Sequence, residues 1–180
     1  MPMLRLFVAL FPPPAIADAL AAAMGGVAGA RWQSAEQIHL TLSFLGNAGE
    51  ERLADLDAAL AAIRHAPIPL SCTGIGHFAT KGRATTLWAA AQPADTLIAL
   101  AAKVDHAVRA VGITPQGMHF VPHITLARLG RSAGPTDGFL SGQADLATPS
   151  VTIAAFGLYQ SHLSADGAQY EQLRDYPLGG

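Results

Sequence analysis

His39-Leu40-Thr41-Leu42-Ser43-Phe44-Leu45-Gly46 and His123-Ile124-Thr125-Leu126-Ala127-Arg128-Leu129-Gly130 are two versions of one octapeptide. Five of the eight positions are identical, and a sixth exchanges Leu for Ile. The copies lie 84 residues apart in a chain of 180, which points to two related halves. A strand puts residues i and i+2 on one face. The spacing therefore sets His39 beside Thr41 and His123 beside Thr125. Across residues 37–45, Ile38, Leu40, Leu42 and Phe44 are expected on the opposite, buried face, with Ser43 beside the histidine. Ile124 and Leu126 play the same part in the second copy, and Arg128 shares their parity.

If the halves pair about a pseudo-twofold axis, the two motif strands face each other across a groove lined by two imidazoles and two hydroxyls. Two histidines with ordinary pKa near 6.5 can divide proton transfer at neutral pH, one neutral as base and one charged as acid. Each Thr hydroxyl can donate to a non-bridging phosphate oxygen. Such a set suits in-line attack on a phosphodiester. A two-metal phosphoesterase would need clustered carboxylates as well. The 13 acidic residues are scattered and none lies within the motifs, so no metal site and no cofactor are expected.

Working outward, residues 3–11 read as a strand stopped by Pro12-Pro13-Pro14. An Ala-rich helix from Pro14 to Met24 should end at Gly25-Gly26. From Glu50 to His65, Leu53, Leu56, Leu60 and Ile63 recur at helical spacing before Pro67. Two strands at 68–78 and 83–91 join through Lys81-Gly82. A third helix over 94–111 carries Leu97, Leu100, Val104, Val108 and Val111 on one stripe. Strands follow at 121–129, 150–160 and 168–175, and Gly130 to Gly142 reads as a loop. The pattern predicts a mixed α+β protein with no dividing linker.

Composition sets the outer limits. Hydrophobic residues make up 51% and charged residues 13%, which excludes intrinsic disorder, although about a fifth of the chain is small Ala. A net charge of -2 excludes a broad clamp on long nucleic acid but leaves room for a nucleic-acid end or a small phosphate ester. Cys72 stands alone, so no intramolecular disulfide or Cys-based zinc site is possible, and it reads as a buried hydrophobe. The run Leu6 to Leu10 after Arg5 imitates a signal peptide but is cut short by the prolines. The expectation is a cytoplasmic protein with no membrane span and no obligate protein partner.

The remaining candidates have plainer readings. His65 and His106 fall on polar helix faces, His119 in a loop near His123, and His162 in a strand close to the groove. Lys81, Arg83, Arg128 and Arg131 read as surface charges that could meet phosphate. Phe7, Phe120, Trp32 and Trp88 read as core, with base stacking as the alternative for the two phenylalanines.

The paired His-x-Thr motifs resemble those of the 2H phosphoesterase superfamily, in particular the RNA 2′,3′-cyclic phosphodiesterases, also called 2′-5′ RNA ligases. The resemblance extends to Arg5-Leu6-Phe7-Val8-Ala9-Leu10, the Trp32 segment, Leu87-Trp88, Phe120 to Arg128, and Gly167-Ala168-Gln169-Tyr170-Glu171. Position 121, often basic in that family, is Val121 here. The resemblance implies one domain over residues 1–180, with two interleaved lobes and one motif in each. Two mainly antiparallel sheets would face a central cleft, with helices outside. It implies metal-independent hydrolysis of a 2′,3′-cyclic phosphate, on RNA or a nucleotide, to a 2′-phosphomonoester. His39 would then be the proton donor and His123 the proton acceptor, with Thr41 and Thr125 on the phosphate. Two alternatives remain: a 2H esterase for another small cyclic or 2′-5′-linked substrate, and a nucleotide-binding module with little catalysis.

Overall fold

The computed structural model describes residues 2–117 and 119–179. In chain order the elements are β1 (Met3–Leu10), α1 (Pro14–Ala23), β2 (Ala30–Trp32), β3 (Leu40–Gly49), α2 (Leu53–Ala61), β4 (Ile68–Thr80) and β5 (Arg83–Gln92). Then come α3 (Ala94–Ala110), β6 (His123–Leu129), α4 (Asp137–Gly142), β7 (Val151–Ile153), β8 (Ala155–Ser164) and β9 (Gly167–Pro177). The strands form two antiparallel sheets, one in the order β3-β1-β8-β9 and the other β2-β6-β5-β4-β7.

These orders make the duplication visible. In each sheet the motif strand, β3 or β6, pairs with the strand that precedes it across a helix, β1 or β5. Two further strands complete each sheet on the far side, while β2 extends the second sheet beyond β6. The α+β architecture with two antiparallel sheets and duplicated halves is the one expected.

Hydrophobic burial fixes each motif strand. Ile38, Leu40 and Leu42 of the first copy, and Ile124 and Leu126 of the second, belong to one continuous core. The helices α1, α2 and α3 seal that core from outside through Ile16, Leu20, Leu56, Leu60, Leu97, Leu100, Val104 and Val108. The predicted stripe of α3 is thus correct except at Val111, which caps the helix and is half-buried. A smaller cluster of Phe7, Ala9 and Tyr159 lies on the other face of the first sheet, with Phe11, Phe44 and Tyr170 against it.

Phe44, Ser43 and Arg128 depart from simple alternation for one shared reason. The β1–β3 register slips between Val8 and Ala9, leaving Leu42 without a partner. The β5–β6 register slips between Leu87 and Trp88, leaving the equivalent Leu126 without one. A bulge inserts one residue and reverses the parity of everything after it. Ser43 and Ala127 therefore turn inward and are buried. Phe44 joins Phe7 and Ala9 on the face shared with His39, and Arg128 joins the face of His123.

Several boundaries differ as well. The second helix is α2 alone, after a single 3-10 turn over Glu50–Arg52, and it stops at Ala61. His65 therefore lies in the following loop rather than on a helix face. The 150–160 strand is broken at Ala154, and β2 is an additional short strand. The Gly130–Gly142 loop holds α4, whose Phe139 is buried against Trp32 at 5.2 Å. Lys81 and Gly82, both with positive φ, make the β4–β5 turn as expected.

Trp88 lies across Gly76 of β4, where an added Cβ would sit 2.3 Å from the indole ring. Gly130 has open space around the same position. Gly76→Ala should therefore cost about 1–3 kcal/mol through overpacking, while Gly130→Ala should stay within about 0.5 kcal/mol. Thermal denaturation of the two variants checks this, and equal melting temperatures would contradict the packing.

Candidate active site

His39 lies just before β3, and His123 opens β6. Each ring is anchored in the same way: Nδ1 lies 2.6 Å from the carbonyl oxygen two residues back, Gln37 for His39 and Val121 for His123. A carbonyl only accepts, so Nδ1 carries the proton and Nε2 of the neutral ring is left as an acceptor. The Val121 side chain takes no part in that bond.

The Nε2 environments differ. His39 Nε2 is 3.0 Å from Thr41 Oγ1, so the Thr41 hydroxyl donates to the neutral ring. His123 has no such protein partner at Nε2 among the described residues. Aromatic rings hold both. Phe11 stacks on His39 at 5.3 Å and 20°, with Phe7 at 5.2 Å and Tyr170 edge-on at 4.9 Å. His123 meets Phe78 edge-on at 4.9 Å and Trp88 at 5.9 Å.

That packing lowers the basicity of both rings. Burial pushes the His39 imidazole down to about 4. The Gln37 carbonyl opposes the shift, and the Arg128 guanidinium and the His123 ring add to it. Burial also lowers His123, opposed by the Val121 carbonyl and assisted by Arg128. Without substrate, both are therefore mostly neutral at pH 7.

Arg128 is one of the residues that alternation places wrongly. Its charge bears on His39, His123 and Tyr170 alike, and among the described residues it makes no salt bridge. The bulge at Leu126 brings it there, and single-sequence periodicity carries no signal for that bulge. Thr41, Ser43, Asp105, Gln116, His119 and His123 line a hollow of about 210 Å³. His119 is thus both the loop residue expected and a neighbour of the groove. Thr125 lies on β6 next to Trp88 of β5, one pleat from His123.

Other candidates stay outside. His162 bonds Glu171 Oε2 at 3.0 Å across the exposed β8–β9 pair. His106 is an exposed residue of α3, and Arg83 donates to the Arg131 carbonyl. Cys72 is buried, with its thiol pushed up to about 12 by desolvation. Among the described residues, no three His, Cys, Asp or Glu side chains converge as metal donors. No described helix is long and apolar enough to cross a membrane.

A duplicated sheet pair with one His-x-Thr motif in each half defines a phosphoesterase groove. The family model of LigT-like phosphoesterases matches residues 10–88 and again 89–170, so the chain belongs to that family. An RNA 2′,3′-cyclic phosphodiesterase of Thermus thermophilus is 34% identical over 189 aligned positions, covering 98% of this chain and 91% of that protein. One of Archaeoglobus fulgidus is 28% identical over 174, covering 95% and 98%. A T. thermophilus protein of known crystal structure superposes with a TM-score of 0.78 at 29% identity, covering 98% of each chain.

The depressed His39 value has a consequence for stability. Between pH 6.5 and about 4 the unfolded chain takes up a proton at His39 that the folded protein refuses. Its contribution is present in full above pH 6.5 and is lost as pH falls toward 4. His39→Phe should flatten the decline in unfolding free energy over that window. Urea denaturation at pH 7 and pH 4.5 measures it, and an unchanged slope would show that His39 titrates normally.

Proposed function

We propose that this phosphoesterase hydrolyses 2′,3′-cyclic phosphates, on RNA ends or nucleotides, to 2′-phosphomonoesters by two-histidine acid–base catalysis without a metal. The observation that carries the reading is the pair of imidazoles at equivalent positions of the two sheets. Each has Nδ1 tied to a carbonyl, and the Arg128 guanidinium, which makes no salt bridge among the described residues, bears on both. A module that only binds nucleotide has no use for two titrating groups held this way.

His123 is the base, because among the described residues its Nε2 has no hydrogen-bond partner and so can accept from a water molecule. That water loses a proton to Nε2 and attacks phosphorus in line with the 3′ oxygen. His39 is the acid, and its proton arrives with the substrate. The phosphate charge raises a pKa that burial had lowered, and the stacked Phe11 ring favours the cation. Once Nε2 is protonated it donates to Thr41 Oγ1, which frees the Thr41 hydrogen to point at a non-bridging oxygen. Thr125 serves the second non-bridging oxygen and Arg128 balances the charge that builds on both. His39 then delivers its proton to the departing 3′ oxygen.

The pH dependence follows from the same geometry. A cyclic phosphodiester keeps one negative charge throughout, so only the histidines titrate. The reacting complex has one ring charged and one neutral, and in the free enzyme both rings lie below 6.5. A bell-shaped kcat/KM profile should therefore peak on the acid side of 6.5 and fall as pH rises through 7. A rate that climbs steadily to pH 10 would remove the need for an imidazolium.

Changing the leaving group separates the two roles. On a cyclic phosphate, His39→Ala and His123→Ala should each cost about 10²–10⁴-fold, with a chelator present throughout and without effect on the parent enzyme. A nitrophenolate leaves without protonation. On a nitrophenyl phosphodiester that nucleotide displaces, the His39→Ala defect should shrink sharply and the His123→Ala defect should persist. The opposite pattern exchanges the roles. Activity abolished by the chelator and restored by a divalent cation would overturn the mechanism.

A further inference from the structure

Two hollows flank the histidine pair, and they differ in size and charge. The smaller, of about 210 Å³, is walled by Phe44 and Phe120, with Asp105 as the only formal charge among the described residues that line it and polar groups from Gln116 and His119. Asp105 accepts a hydrogen bond from Ser43 at 2.6 Å and lines the hollow with it. The larger, of about 590 Å³, opens on the other side, between β2 and the β8–β9 turn. Arg31, Trp32, Gln37, Arg128, Asp166 and Tyr170 line it, and neither imidazole does. Its two guanidiniums are neighbours, since Arg31 pairs with Arg128 in the β2–β6 register.

A terminal ribose that carries a 2′,3′-cyclic phosphate has two other attachments, the base at C1′ and the preceding phosphodiester at C5′. With the cyclic phosphate at the histidines, each hollow receives one of them. Charge decides which. A phosphodiester is an anion and is disfavoured beside the Asp105 carboxylate, whereas two guanidiniums against one carboxylate favour it. An uncharged base with ring donors suits the small hollow, between aromatic walls and acceptor oxygens.

We propose that the larger hollow is a binding site for the nucleotide preceding the cyclic phosphate, with Arg31 on its phosphodiester, Trp32 beside its base, and the terminal base in the smaller hollow. The proposal rests on the cyclic phosphodiesterase reading and adds to it the direction in which an RNA strand leaves the cleft. The chain then runs over the β2 edge of the second sheet, and the β8–β9 turn forms the opposite bank. Gln37 ties the β8–β9 bank to the catalytic groove, because its Nε2 donates to the Ala168 carbonyl at 3.0 Å while its own main-chain carbonyl holds His39.

Three substrates test this: a nucleoside 2′,3′-cyclic phosphate, the same compound with a 5′-phosphate, and a dinucleotide ending in the cyclic phosphate. The parent enzyme should show KM about three- to tenfold lower for the second and third than for the first, an advantage that shrinks with added salt. Arg31→Gln should abolish that advantage. Asp166→Asn, which removes the opposing charge from the same hollow, should enlarge it. Both side chains are exposed and away from the reacting atoms, so both variants should process the plain nucleoside compound as the parent does. Equal KM for all three substrates in the parent, or a uniform loss on all three in Arg31→Gln, would overturn the proposal. Failure of the parent to turn over even the plain nucleoside compound would instead overturn the cyclic phosphodiesterase reading, and the proposal with it.

Discussion

Each imidazole donates a hydrogen bond from Nδ1 to the carbonyl oxygen two residues behind it, and the proposed chemistry of the groove depends on those two bonds. They fix the tautomer, so Nε2 is the nitrogen left for substrate, and they fix the ring plane against its aromatic neighbours. The partner is main chain, which makes the device independent of the side chains at positions 37 and 121. Gln37 adds a second task through its amide, whereas Val121 contributes backbone alone. The same bonds resist the loss of basicity that burial imposes, since each carbonyl favours the charged ring.

The two halves repeat this anchor and then diverge at one position. After the bulges at Leu42 and Leu126, the equivalent residues Phe44 and Arg128 reach the groove face. Phe44 joins the cluster around Phe7 and Tyr159 that dries the His39 side, with the Arg5 guanidinium 5.0 Å from its ring centre. Arg128 puts a guanidinium between the sheets instead. A duplicated fold thereby acquires one enclosed imidazole, one open imidazole and one fixed cation, which is the asymmetry that acid and base roles require.

Much of this was legible in the residues. The octapeptide repeat located both histidines and both threonines, and the buried faces of Leu40, Leu42, Ile124 and Leu126 follow from period-2 alternation. Helix stripes and turn residues placed most elements within two or three positions. What was not legible came from tertiary structure overriding local pattern. A bulge leaves no mark in the sequence of its own strand, so Phe44 and Arg128 were assigned to the wrong face. The short α4 was hidden because its burial rests on Phe139 alone, packed against Trp32 from a distant strand. The basicity of His39 was equally hidden, because the rings that enclose it come from distant parts of the chain, Phe7 and Phe11 from β1 and the residue just past it and Tyr170 from β9.

Low basicity in both rings at first looks ill suited to the proposed mechanism, which needs one of them charged. The difficulty disappears when the proton is counted as part of binding. In the empty groove Arg128 and burial both disfavour an imidazolium, and the Thr41 hydroxyl is spent on His39 Nε2. In the proposed mechanism an anionic phosphate reverses the balance: it offsets the Arg128 charge, draws a proton onto one ring, and releases the Thr41 hydroxyl to bind it. Uptake of the proton and capture of the phosphate oxygen become one event. A neutral ligand of similar shape cannot trigger it, so the acid is loaded only when there is a phosphate to cleave. A chain of net charge -2 can select anions this way because the discrimination rests on a few groups facing one groove rather than on the field of the whole molecule.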